Sequence, residues 1–218
     1  MLLVIIALLV VAGPTLAGDE SVVFSEIMWM GSTGSTADEW IELHNRSEAA
    51  VNLEGWVVTR MTSEGERFML EIEGGIVPPR DVFLIANFAP DDPRSRLAVT
   101  PDLIVSAVAL SNSKLQLRLY DGDPSSGGTV VDVADDGSGA PLAGDSKLKR
   151  SMVRIDFEGA GTEPAHWDTA TESEGWDDGA SELGTPGSIP AYLNEAAERT
   201  STAIGRGSWA DFKVSFTR

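Results

Sequence analysis

Short runs of alternating apolar and polar residues, set off by clusters of Gly, Pro, Asn and Asp, recur roughly every 8 to 12 residues along this chain. That rhythm predicts strands, because side chains alternate across a pleat. The run 38–45 is the organising one: Ile41 and Leu43 fall on one side, Trp40, Glu42 and His44 on the other, and Asn45-Arg46-Ser47 closes it. Before it, residues 22–29 alternate, with Val22, Phe24 and Glu26 opposite Val23, Ser25 and Ile27, and the pattern blurs at Ile27-Met28. After Leu53-Glu54-Gly55-Trp56 come strands at 56–61 and 67–72, joined as a hairpin across Ser63-Glu64-Gly65. Residues 82–86 are apolar on both faces, as in a central strand. Residues 88–101, with three prolines, read as a surface loop, and 103–105 as a brief edge strand. Leu115, Leu117 and Leu119 then alternate cleanly and point inward. The chain turns over 121–128, returns over 129–134, and 148–157 is the last core strand. Helical character is confined to 191–199, and 209–216 alternates again, with Phe212, Val214 and Phe216 sharing a face. The fold class predicted is all-β: an immunoglobulin-like sandwich of two antiparallel sheets.

Residues 156–182 differ in kind. They carry nine acidic residues and no Lys or Arg, together with Trp167 and Trp176. The two rings predict an irregular segment pinned against the sandwich and ending at Gly184-Thr185-Pro186-Gly187.

Composition narrows the function classes. An apolar content of 42% is that of a folded protein, and 34 acidic against 16 basic residues give a net charge of -18. So negative a chain repels nucleic-acid backbones and anionic lipid surfaces. The absence of cysteine removes disulfides, thiolate metal sites and cysteine nucleophiles. Residues 1–17 read as an export signal: an apolar run from Leu2 to Ala12, Gly13-Pro14 as a breaker, then Thr15-Leu16-Ala17 as a cleavage site. The run is shorter than the roughly 20 residues of a comfortable membrane span. No Lys or Arg precedes it, which fits either a true start lying upstream or an uncleaved anchor; an uncleaved segment is the one route to a membrane expected here. The organisation expected is a signal at 1–17 and a sandwich domain at 18–189, with its core at 22–157 and an acidic closing segment at 158–189. A tail at 190–218 follows, with a short helix and an added strand.

The ordered set of motifs resembles the lamin tail domain family, prokaryotic secreted branch. Phe24-Ser25-Glu26-Ile27 matches its opening strand and Glu39-Trp40-Ile41-Glu42-Leu43-His44-Asn45 its hallmark, with Leu53-Glu54-Gly55-Trp56 next. Leu110-Ser111-Asn112, Leu115-Gln116-Leu117 and Val130-Val131-Asp132 match a later hairpin. Ser151-Met152-Val153-Arg154, Trp167 and Gly184-Thr185-Pro186-Gly187 match the ending. The resemblance spans about residues 22–187. It implies an immunoglobulin-like sandwich that serves as a non-catalytic interaction or scaffolding module, and it supplies no catalytic set.

Five groups of residues invite a chemical role. Trp40, Ile41, Glu42, Leu43, Asn45, Trp56 and Arg154 are expected to be structural, with Arg154 the favoured partner of Glu42, since a buried carboxylate needs one. Asp121, Asp123 and Asp132 fall at calcium-loop offsets, and Asp135 and Asp136 lie close by; but Ser126 replaces the loop's Gly and strands flank it, so an Asx-rich turn explains the same residues. His44 and His166 are the only histidines and neither has metal or triad spacing. Trp29 and Trp209 are the candidates for an exposed binding aromatic. Asn45-Arg46-Ser47 fits a glycosylation sequon. The leading expectation is an exported, non-enzymatic module of the cell envelope or extracellular space, binding a protein or polymer without a cofactor. Self-association through edge strands and a calcium- or carboxylate-based hydrolase are the alternatives.

Overall fold

The computed structural model describes residues 21–193. Within them lie twelve strands: β1 (Val22–Met28), β2 (Trp40–Asn45), β3 (Val51–Asn52), β4 (Val57–Thr62), β5 (Gly65–Glu71), β6 (Ile76–Val77), β7 (Val82–Ala86), β8 (Leu103–Ile104), β9 (Leu117–Tyr120), β10 (Val130–Ala134), β11 (Met152–Arg154) and β12 (Trp167–Thr169). Helix is limited to two single 3₁₀ turns, Pro124–Ser126 and Pro164–His166, and three residues at 191–193. Six strands form one sheet in the order β12-β11-β1-β2-β7-β8, four form a second in the order β10-β9-β4-β5, and β3 pairs with β6. These are the two layers of an immunoglobulin-like sandwich. Every strand pairing is antiparallel except the short one between β7 and β8.

β2 sits in the six-stranded sheet between β1 and β7. Ile41 lies opposite Ile27 and Ile85, Glu42 opposite Glu26 and Leu84, and Leu43 opposite Phe24 and Phe83. The register of β1 shifts between Phe24 and Glu26. A bulge of this kind adds one residue to a strand and resets its alternation. Phe24 and Ile27 therefore share the inward face although three positions separate them. This is the physical reason the pattern blurs at Ile27-Met28, and it corrects the expected faces: Ile27 joins Phe24, and Glu26 lies on the opposite side from both.

Inward-facing Phe24, Ile27, Ile41 and Leu43 join Val58, Leu117 and Leu119 of the second sheet in one core, all fully buried. Each such side chain contributes about 1.5–3 kcal/mol by leaving water. Leu115 and Trp56 are buried in the same core, and β4 and β5 form the expected hairpin.

Three expectations need correction. β7 is buried at every position, but it is next to last in its sheet rather than central. Only residues 152–154 of the expected strand 148–157 are extended, because Asp145 and Arg150 close a turn just before them and Lys149 takes a left-handed φ of 53°. β12 then adds one more strand, from the segment expected to be irregular.

Among the described residues no helix is long and apolar enough to cross a membrane. The expected signal at 1–17, most of the expected helix at 191–199, Trp209 and the strand at 209–216 lie outside the described residues.

Candidate functional site

The alternation that sends Ile41 and Leu43 inward sends Trp40, Glu42 and His44 to the outer face of the six-stranded sheet. The bulge in β1 puts Glu26 on that same face, directly across the ladder from Glu42. Neither carboxyl has any exposed surface. Among the described residues no cation pairs with either one. Instead each is held by hydroxyls and backbone amides. Glu26 accepts from Ser151 Oγ at 2.5 Å, from Thr185 Oγ1 at 2.7 Å and from the Thr185 N–H at 2.9 Å. Glu42 accepts from Ser25 Oγ at 2.8 Å and from the Gly187 N–H at 2.7 Å. Four pieces of chain far apart in sequence thus meet on two side chains.

Burial is the main force raising both acids above the ordinary carboxyl range. For Glu42 the charge of Glu26 adds to it, and for Glu26 a smaller push comes from Glu172. Glu39, on the same strand's approach, is pushed by burial up to about 7, against the opposing pull of the Leu110 N–H and Arg60. All three bind protons more readily folded than unfolded. Their contribution is therefore complete below about pH 4.5 and is lost as pH rises through the folded values. Thermal melts should be highest in mild acid and fall towards mild alkali. Glu42→Gln keeps an acceptor for Gly187 and gives Ser25 a donor, so it should flatten part of that slope and melt above the wild type at the alkaline end. A variant with an unchanged slope would show that Glu42 does not titrate in this way.

The strap 184–187 that supplies these amides is one part of a longer cover. Phe157 lies against His44 with ring centroids 4.7 Å apart, and Trp176 against Trp40 at 6.0 Å. Trp176 is fixed by Nε1 donating to the Gly184 carbonyl at 3.0 Å and by a bridge to Leu97 of the 88–101 loop. That loop runs over the surface as expected, yet Leu97 is fully buried beneath the cover. Glu182 reaches back to accept the Thr33 N–H at 2.6 Å, tying the 31–36 loop to the same segment. Gly184 has φ +154°, and a Cβ there would stand 2.5 Å from Glu26 Oε1 and 2.8 Å from Ser151 Oγ. Gly184→Ala should accordingly lose about 1–3 kcal/mol in urea unfolding. Wild-type stability would mean that the strap does not seat on Glu26.

Arg154 is not the partner of Glu42. Glu42 aligns across β1 with Val153, so Arg154, one residue on, points through the opposite face. There its Nη1 pairs with Asp132 Oδ2 of β10 at 2.6 Å, and its Nη2 and Nε donate to the carbonyls of Gly159 and Asp156 at 2.5 and 3.1 Å. Asp132 also accepts the Phe24 N–H at 2.9 Å. Burial raises the Asp132 carboxyl despite the pull of Arg154.

The other calcium candidates do not converge with Asp132. Asp121 accepts from Thr129, Asp123 caps the 3₁₀ turn through the Ser125 N–H, Asp135 takes the Gly137 and Leu142 N–H groups, and Asp136 takes that of Ser138. Among the described residues no group of three or more His, Asp or Glu is placed to hold a metal ion.

Trp29 is not an exposed aromatic. It is buried, and its Nε1 donates to the Ala143 carbonyl at 2.9 Å. Asn45 has no exposed surface, and its Nδ2 is occupied by the carbonyls of Ala49, Val77 and Pro78 at 2.7–3.2 Å, which leaves the sequon closed in the folded domain. His44 is buried, which lowers its pKa, and its Nδ1 faces the Asp81 carbonyl at 3.2 Å. His166 lies 3.7 Å from Asp156, and its Nδ1 faces the Ala160 carbonyl at 2.8 Å.

Nothing in the sequence marks Glu26, Ser151, Thr185 and Gly187 as one set. Their signal was present in the opening-strand and closing motifs, but nothing local says that those motifs share two carboxylates.

Together these contacts define an immunoglobulin-like sandwich whose outer sheet face is sealed by its own C-terminal segment through a buried carboxylate clamp. The Lamin Tail Domain family matches residues 16–137, more than half of the 218-residue chain, and the chain belongs to that family. β11, β12 and the closing segment continue the fold beyond the matched region. No curated protein matches the chain. Among solved structures, a DUF4876 family protein from Bacteroides thetaiotaomicron is 13% identical over 79% of this chain and 75% of its own, with a TM-score of 0.42. That likeness is too loose to bear on function.

Proposed function

We propose that this is an exported, non-catalytic interaction module of the cell envelope or extracellular space, holding a protein or polymer partner on its loops and rims and needing no cofactor. One observation carries the reading: the carboxyls of Glu26 and Glu42, in the family-signature strands, are taken up by Ser25, Ser151, Thr185 and the Gly187 N–H and are closed to solvent and to substrate. A hydrolase built on paired carboxylates needs both to reach a bound bond. The open groove of about 300 Å³ between residues 60–62, 109–111 and 115–117 supports the same reading, since Arg60 is its one charged lining side chain. The acidic surface agrees with an exterior setting.

The test pairs two assays on the whole chain. Immobilised protein should retain a partner from an envelope or extracellular fraction, and Glu42→Gln should retain it equally well. Hydrolysis of a glycoside, ester or peptide substrate that disappears in Glu42→Gln would overturn the reading.

A further inference from the structure

We propose that the free edge of β5 takes up residues 209–216 of a second copy of this chain as an added strand. The inference rests on the reading of the protein as an interaction module, and names one surface and one partner for it.

Two sheets offer four edges, and they are unequal. The β10 edge is closed, because β1 packs against β10 and the Phe24 N–H reaches across to Asp132. β12 and β8 are only three and two residues long. β5 runs for seven residues and pairs with β4 alone. At its start the Gly65 carbonyl is taken by Thr62 Oγ1 at 2.8 Å and the Glu66 carbonyl by Arg67 Nη1 at 3.2 Å. From Phe68 onward the ladder with β4 is its only backbone pairing among the described residues.

An edge of this length is a template for another strand unless charge or a bulge blunts it. β5 carries one bulge, at Met69 between Phe68 and Leu70, whose side chain is buried in the core, and pairing with β4 continues on both sides of it. Glu66 lies on the sheet surface, held by Thr59 at 2.6 Å, Tyr120 at 2.6 Å and Arg118 at 2.9 Å. Phe68, in the middle of the strand, is 65% exposed, more than any other large apolar side chain among the described residues.

The chain carries one segment that fits. Phe212, Val214 and Phe216 would share a face in an added strand, with Lys213 between them. Residues 199–218 hold Arg199, Arg206, Lys213 and Arg218 against a single acid, Asp211, in a chain whose net charge is -18. Around the edge lie Glu64, Glu66, Glu71 and Glu73; Arg67 pairs with Glu64 and Arg118 with Glu66, while Glu71 and Glu73 have no ion pair among the described residues. Strand addition supplies backbone bonds, the apolar stripe covers Phe68, and opposite charges set register and partner choice.

A neighbouring copy is the donor because of where the described chain leaves the domain. The Ala191 N–H bonds Glu172 beyond β12, the far edge of the six-stranded sheet. β5 is the edge of the other sheet that lies away from β10 and β1. A chain's own segment would have to travel round the sandwich, whereas a neighbour's meets the edge directly. Such a contact joins unlike surfaces and builds open chains or rings.

The test uses the whole chain, which has no native cysteine. Light scattering should show a mass that rises with concentration to at least twice the monomer's and falls back in high salt. Phe68→Asp should hold the protein monomeric with unchanged circular dichroism and melting point, since Phe68 supports no core. Arg67→Cys and Lys213→Cys, placed in separate chains and mixed, should be joined by a short bis-maleimide, at least tenfold less when Phe68→Asp accompanies Arg67→Cys. Monomer mass throughout, association indifferent to Phe68→Asp, or cross-linking confined to a single chain carrying both cysteines would each overturn the proposal. A monomer that still retains an envelope partner would overturn it and leave the interaction-module reading standing.

Discussion

Arg154→Met is expected to cost the domain about 3–5 kcal/mol at neutral pH, because it strands a buried carboxylate. Arg154 joins β11 in one sheet to Asp132 of β10 in the other, and its remaining donors hold the carbonyls of Gly159 and Asp156 at the root of the closing segment. With Arg154 gone, Asp132 keeps only the Phe24 N–H as a strong donor, and its charge loses its counterion. Two companion measurements separate this account from a simple loss of packing. The deficit should shrink in mild acid, where Asp132 takes up a proton and ceases to be a stranded charge. Adding Asp132→Asn should restore most of the loss, since the amide oxygen still accepts from Phe24 and no charge is left buried. Urea unfolding of the two single variants and the double variant forms the cycle. Simple additivity would mean that the two side chains do not act as a pair.

Trp40→Ala should be comparably damaging, at about 3–5 kcal/mol, although Trp40 points away from the space between the sheets. Its indole is fully buried beneath Trp176, on a face that would be exposed in a two-layer sandwich without a cover. Deleting the ring leaves a cavity between sheet and cover, so the closing segment should become cleavable by protease before the rest of the domain. Trp40→Phe should be much milder, because the Trp40 Nε1 has no hydrogen-bond partner among the described residues and the smaller ring surrenders none. Chemical unfolding and limited proteolysis read the two effects separately. A Trp40→Ala protein of wild-type stability would mean that the outer face is not a second core.

What was legible in the sequence was whatever local chemistry decides. The hairpin of β4 and β5 follows from alternation on either side of a Gly turn, and β9 from leucines at every second position. The inward direction of Ile41 and Leu43 follows from the pleat alone. Positions 24–27 could not be resolved, because the bulge in β1 changes which residues face inward and leaves no mark in composition. The same parity governs the error over Glu42 and Arg154: both lie on strands flanking β1, yet the residue of β11 aligned with Glu42 across it is Val153.

The cover was harder still. Trp167 and Trp176 announced that the acidic segment is pinned, but not where. Glu42 is closed by Gly187, 145 positions later, and Glu26 by Thr185, 159 positions later. No local pattern encodes contacts at that separation. The aspartates between 121 and 136 misled in the opposite way. Their spacing suggests a shared ligand, while in the fold all but Asp132 hold turns and loops of their own neighbourhood, at separations of two to eight residues.

Amide hydrogen exchange at Thr185 and Gly187 tests the clamp most directly. If Glu26 and Glu42 hold these two N–H groups as an integral layer of the domain, both amides should exchange only with global unfolding, at the pace of the β2 amides beneath them. Rapid exchange at Thr185 and Gly187 while β2 stays protected would show a strap that lifts freely from the carboxylates, and would contradict the account.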